Sequence, residues 1–212
     1  MPRIVYGILD AHRSHRIEIP DAVRDAAAGR PNACTLCHLD RPNEWAGAQL
    51  ARWSGEAEPA LRARVDGAPN VLPDSVASLL AGDPVTRLVY ARAMGRGDAA
   101  LSPAAKGFLR VHLAIALGDA YPSIRRMAQR SLVALERELP IGAAADDFDH
   151  LAEFAERRDR VGVLLARIAA ACARRLSPPL DHSLLGVDHR PDLQAIGPLL
   201  DAQASRAISI GE

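Results

Sequence analysis

Two stretches of this chain, 125 − 87 = 38 residues apart, carry the same spacing of side chains, and that echo restricts the fold more than any other feature. Arg87, Tyr90, Ala93 and Met94 correspond to Arg125, Ala128, Ser131 and Leu132, with offsets of 3, 6 and 7 preserved. Those offsets put each set on one face of a helix. The surroundings read as helix pairs. A helix closes at Leu79-Leu80 before Ala81-Gly82-Asp83-Pro84, and the next runs from Val85 to Met94 and stops at Gly95. Lys106 to Leu117 then forms an amphipathic stretch, Gly118-Asp119 the turn, and Ser123 to Leu139 its partner. Asp83 and Asp119 each precede the arginine of the second helix. Alanine, leucine and arginine dominate and aromatics are only 4%, which favours helices over sheets.

A period of 38 is close to the roughly 40 to 47 residues of HEAT and armadillo units, so residues 68–212 are expected to form a HEAT-like helical repeat domain in an all-α fold. A third pair is predicted at Asp146 to Arg157 and Val161 to Leu176, broken by Ser177-Pro178-Pro179. Cys172 in that last apolar helix reads as a small buried hydrophobe. Leu180 to Arg190 is loop-like, and a final helix from Pro191 to Ala204 carries Leu193, Ile196, Leu199 and Leu200 on one face.

Residues 1–67 have a different character. Cys34-Thr35-Leu36-Cys37-His38 spells C-x-x-C-H, the attachment signature of covalent haem. Cysteines at i and i+3 with histidine at i+4 share one face of a single helical turn, so two sulfurs and a nitrogen can meet one flat ring. Cys34 and Cys37 would add to the two vinyl groups, and His38 would be the proximal iron ligand. A thioredoxin-like dithiol would need a strand entering the motif, whereas residues 21–32 read as helix and then turn. A structural zinc site would need a second ligand pair, and the one remaining cysteine is Cys172. Asn32 is placed to cap a short helix holding both cysteines. After a turn at Pro42-Asn43, a helix from Glu44 to Trp53 spaces Trp45 and Trp53 widely enough to flank a large ring.

The run His15-Arg16-Ile17-Glu18-Ile19-Pro20, then Pro31-Asn32-Ala33-Cys34-Thr35-Leu36-Cys37-His38-Leu39-Asp40-Arg41, then Trp45-Ala46, resembles bacterial multihaem c-type cytochromes whose haem module is followed by HEAT or tetratricopeptide repeats. The resemblance covers about residues 1–55. It implies an extracytoplasmic, periplasmic protein carrying haem c. In that family an upstream motif commonly reads C-x-x-C-H-M-P, and this chain opens Met1-Pro2, so the start is expected to lie just after a further haem motif and a signal peptide. One haem site falls within this chain; the full protein would hold more.

The sixth iron ligand sets the chemistry, because a second histidine lowers the potential and an open position permits catalysis. His15, in the segment ending Ile19-Pro20, is the first candidate, and His12 the alternative; His112, His150, His182 and His189 rank lower. Bis-histidine ligation implies an electron carrier rather than an enzyme, with redox proteins or neighbouring haem domains as partners. The alternatives are a piece of a multihaem oxidoreductase and a haem-free repeat module. Lys+Arg and Asp+Glu balance at 26 each, which leaves no net basic field for nucleic acid. No stretch approaches the roughly 18 apolar residues of a membrane span.

Overall fold

The computed structural model describes residues 3–6, 11–13, 19–57, 59, 72–96, 100–176, 179 and 183–203. Its body is helical. A two-stranded antiparallel hairpin, β1 (Arg3–Tyr6) and β2 (Ala11–Arg13), comes first and packs on α4 (Pro84–Met94). Between them lie the short α1 (Ala22–Ala27), α2 (Asn43–Ser54) and α3 (Asp74–Ala81). The remaining helices are α5 (Pro103–Ala116), α6 (Pro122–Glu138), α7 (Phe154–Arg175) and α8 (Leu193–Asp201). No helix among the described residues is long and apolar enough to cross a membrane.

Helices α3 and α4 form one antiparallel pair and α5 and α6 the next. The second helices, α4 and α6, pack side by side, while α3 is flanked by α5 and α8, and α5 by α7. The starts of the second helices explain the echo in the sequence. Proline occupies the first position of α4 and of α6, where its missing N–H costs nothing, and Arg87 and Arg125 each fall three residues later. Both turn back over the helix start to the carbonyl five residues earlier, Arg87 Nη1 to Gly82 O at 2.7 Å and Arg125 Nη1 to Ala120 O at 2.8 Å. Arg157, three residues into α7, makes the same return to Ala152 O. Each arginine thus covers carbonyls that the turn would otherwise leave buried without donors.

The same side chains tie one hairpin to the next. Arg87 Nε and Nη2 donate to the two oxygens of Asp119, at 2.8 and 3.3 Å, across the α5–α6 turn. Arg125 Nε donates to His150 O at 2.8 Å, in the loop before α7. That loop differs from expectation. The predicted third pair is a single helix, α7, preceded by irregular chain over residues 140–153. Acidic residues Asp146, Asp147 and Asp149 favour local turns, and Asp149 Oδ1 accepts from Leu151 N at 2.8 Å rather than joining a helix.

One buried cluster runs through all of this. Leu36 and Leu39, flanking His38 in the chain, belong to it together with Leu79, Leu88, Tyr90, Phe108, Leu113 and Leu132. Helices α4 and α6 approach closely at Gly95, where a Cβ would lie 2.6 Å from Ser131 Cα, and Ser131 Oγ donates to Ala91 O at 2.7 Å. Gly95→Ala should therefore destabilise by about 1–3 kcal/mol, since backbone must move. Gly107→Ala should cost less, because the nearest obstacle there is the flexible end of Leu176. Urea unfolding of the two variants checks the order.

Candidate functional site

Residues 33–37 form one tight helical turn. Asn32, fully buried, opens it: its Oδ1 accepts from Cys34 N at 2.8 Å and its carbonyl from Leu36 N at 3.1 Å. His38 N donates to Cys34 O at 2.8 Å, which closes the turn. The two sides of this turn differ in kind. Thr35, Leu36 and Leu39 are buried, whereas Cys34 is half-buried and Cys37 and His38 are exposed. Both thiols are free. The chemistry-bearing groups therefore face outward from a turn held by its other residues.

What holds it is a set of bonds to the start of α3, which local sequence does not announce. Asp74, 2% exposed, accepts from Thr35 Oγ1 at 2.6 Å and from Tyr90 Oη at 2.5 Å, both on Oδ2. The two hydroxyls lie 2.9 Å apart. With both protons given to the carboxylate, that third edge of the triangle is contact rather than a further bond. Ser75 Oγ donates to Leu39 O at 2.6 Å and Asp74 N to Arg41 O at 3.0 Å. Residues 35, 39 and 41 are thus stitched to residues 74 and 75. As the first residue of α3, Asp74 also lies where the helix dipole favours negative charge.

Around the outward side, the His38 ring meets Trp45 with centroids 4.6 Å apart and planes tilted by 54°. The Arg41 guanidinium sits 5.9 Å from the Trp45 centroid. Arg96, just past α4, places Nη1 3.8 Å from Cys37 Sγ. Trp53 does not join the group. It is 74% exposed, and eight residues separate it from Trp45, about 12 Å along α2. A cavity of about 780 Å³ is lined by Ile19, Pro20, Val23, Gly47, Leu50 and Ser54, among others. At ~100° per residue, Trp45 projects nearly opposite the Gly47–Leu50–Ser54 stripe, so this cavity and the His38 face open on different sides of α2.

The other histidines divide as follows. His12 is exposed on β2, and His15 and His182 lie outside the described residues. His112 is buried, with Nδ1 2.8 Å from Phe108 O and its ring against Phe108. His189, read from sequence as part of a loose loop, is 1% exposed and close to Gly107. His150 is half-buried, and its pKa is lowered by that burial. Among the described residues no three His, Cys, Asp or Glu side chains gather as a metal site would require. Two free thiols with one imidazole on a single turn match instead a group that takes two thioether bonds and one nitrogen.

The thiols differ in environment. Burial, then the neighbouring Cys37 and Asp25, pushes the Cys34 thiol above its ordinary value. Burial pushes Cys172 up to about 11, against the opposing field of Arg110. A thiol-specific reagent at about pH 8 should label Cys37 first and Cys34 more slowly, leaving Cys172 until the chain unfolds. Rapid labelling of Cys172 in folded protein would contradict its burial. The raised value also carries a sign. The neutral thiol is favoured by folding, so its contribution is full below about pH 9 and is lost as pH rises through about 11.

No protein-family model, curated protein or solved structure matches the chain, so the site rests on its own residues.

Proposed function

We propose that this chain is an extracytoplasmic c-type cytochrome segment in which HEAT-like helix pairs carry one covalently bound haem for electron transfer. The observation that carries the reading is the two-sided turn at residues 33–37. Cys34, Cys37 and His38 face outward, while Thr35, Leu36 and Leu39 are locked inward. Bound there, haem supplies a one-electron iron couple. Cys34 and Cys37 form the thioethers and fix the ring to the turn. His38 gives its nitrogen to the iron, and Trp45 restricts the tilt of that imidazole. Arg96 brings a positive charge beside Cys37. His15, with His12 as the alternative, would give the iron a second imidazole, which would leave no open site for substrate and make the protein a carrier rather than a catalyst. The repeats hold the turn rigid and present it to redox partners or neighbouring haem domains.

Production with a supplied export signal and the haem-maturation machinery tests this. The expected result is a haem-stained band that survives denaturing electrophoresis and a low-spin spectrum. Cys34→Ala/Cys37→Ala should lose the band completely. A folded wild-type chain without covalent haem would refute the proposal, as would staining that persists in the double variant.

A further inference from the structure

The layer formed by α8, α3, α5 and α7 ends at α7, and among the described elements only α5 packs on that helix. The buried side of α7 carries Leu164, Ile168 and Cys172. At about 100° per residue the opposite side carries Gly162, Val163, Ala166, Ala170 and Ala173, all of them exposed, with Val163 at 60%. A helix that ends a stack meets water and needs a polar outer face. This one is apolar along its middle. The last described helix, α8, does not cover it, because α8 packs on α3 at the other end of the layer.

The charges toward the ends of this face complement themselves. Glu156 and Arg174 are 174 − 156 = 18 residues apart, which is five turns at 3.6 residues each, so both lie along one edge of α7. Both are exposed. They are equally far from residue 165, about 14 Å along the axis in either direction. A second α7 running antiparallel, related by a two-fold axis at that level, sets its Arg174 opposite Glu156 and its Glu156 opposite Arg174. The other charges of the helix are engaged within the chain. Arg158 pairs with Asp159 at 3.5 Å and Arg160 with Asp147, while Arg167 and Arg175 donate to the carbonyls of Ala144 and Pro140. Between the two edges, glycine and alanine let the helix axes approach to about 8 Å, the short end of the usual range.

From this we infer that the outer face of α7 docks a second copy of this chain as an antiparallel helix pair, with Ala166 near the two-fold axis and two reciprocal Glu156–Arg174 ion pairs at the edges. Parallel pairing would set Glu156 against Glu156 and Arg174 against Arg174, which like-charge repulsion disfavours. The contact uses no atom of the 33–37 turn, so it stands or falls separately from the proposed function.

Sedimentation equilibrium of the full chain tests this, over a roughly hundredfold range of micromolar concentration and with a reductant present because Cys37 is exposed. A reversible monomer–dimer equilibrium is expected at low salt, shifting toward monomer as salt rises. Glu156→Arg alone and Arg174→Glu alone should each raise the dimer dissociation constant by about tenfold or more, with far-ultraviolet dichroism unchanged. Either change turns both ion pairs into like-charge contacts. An equimolar mixture of the two variants should dimerise about as well as wild type, because each altered residue then meets its opposite on the other chain. The proposal is overturned if the wild-type chain stays monomeric over that range, if its dimer is indifferent to the two single changes, or if mixing the variants restores nothing.

Discussion

Asp119→Ala should destabilise the chain by about 3–5 kcal/mol, among the largest effects of any single substitution in the helical body. Arg87 and Asp119 form a bidentate pair with side chains only 1% and 2% exposed. Removing the carboxylate leaves a guanidinium in a dry interior with one carbonyl partner, Gly82 O, and the face of Tyr121 at 5.5 Å. It also frees Tyr121 N, which donates to Asp119 Oδ1 at 2.9 Å. The penalty comes mostly from the stranded charge rather than from the lost attraction. Arg87→Met/Asp119→Leu, which removes both charges and keeps apolar volume, should consequently be more stable than Asp119→Ala alone. Urea midpoints at constant slope decide between these outcomes. If the double variant were the weaker, the pair would be a net source of stability and not a device for joining hairpins.

That pair also shows what the sequence could and could not disclose. Arg87 and Arg125 were visible as equivalents because the offsets of 3, 6 and 7 that follow each repeat at a spacing of 38 residues, and the structure adds a proline at the first position of both helices. Arg157 was not, although it makes the same return bond, because α7 starts with Phe154 and no proline marks the boundary. Asp119 was legible as a residue preceding the arginine of its own hairpin. Its actual partner is the arginine of the preceding hairpin, a contact that only the stacking of α4 on α6 creates.

The pattern at the site is similar. The spacing of Cys34, Cys37 and His38 was readable, as was the cap at Asn32, because all the atoms involved lie within one turn. The anchor beneath was not, since Thr35 meets residues 39 and 55 positions further along the chain. The exposure of Trp53 was not readable, since its spacing from Trp45 along α2 does not say what packs against it. The small β1–β2 hairpin went unread for a related reason. Its strands are four and three residues long, too short for alternation to register.

Asp74→Ala should be the most damaging change at the anchor, costing about 2–4 kcal/mol, because it removes the shared acceptor of two buried hydroxyls and leaves Thr35 Oγ1 the longer bond to Asn32 O at 3.3 Å. Asp74→Asn should be milder. Its amide oxygen can still accept from Thr35 and Tyr90, while its NH2 can point toward Ser78 Oγ, 3.4 Å from the other carboxylate oxygen. The stability loss alone would describe any buried polar group. The distinguishing readout is the turn itself. If Asp74 holds residues 33–37 in place through Thr35, labelling of half-buried Cys34 in Asp74→Ala should accelerate well beyond any change at exposed Cys37. Thr35→Val and Tyr90→Phe extend the test. Thr35 is the direct link, so Thr35→Val should accelerate Cys34 labelling more than Tyr90→Phe does, and combining the two should cost less than the sum of the separate losses. Equal labelling rates across the series, at protein concentrations and denaturant-free conditions where all variants remain folded, would detach the turn from Asp74. The carboxylate would then serve only to start α3, and the rigidity of the outward face would have to come from Leu36 and Leu39 in the core.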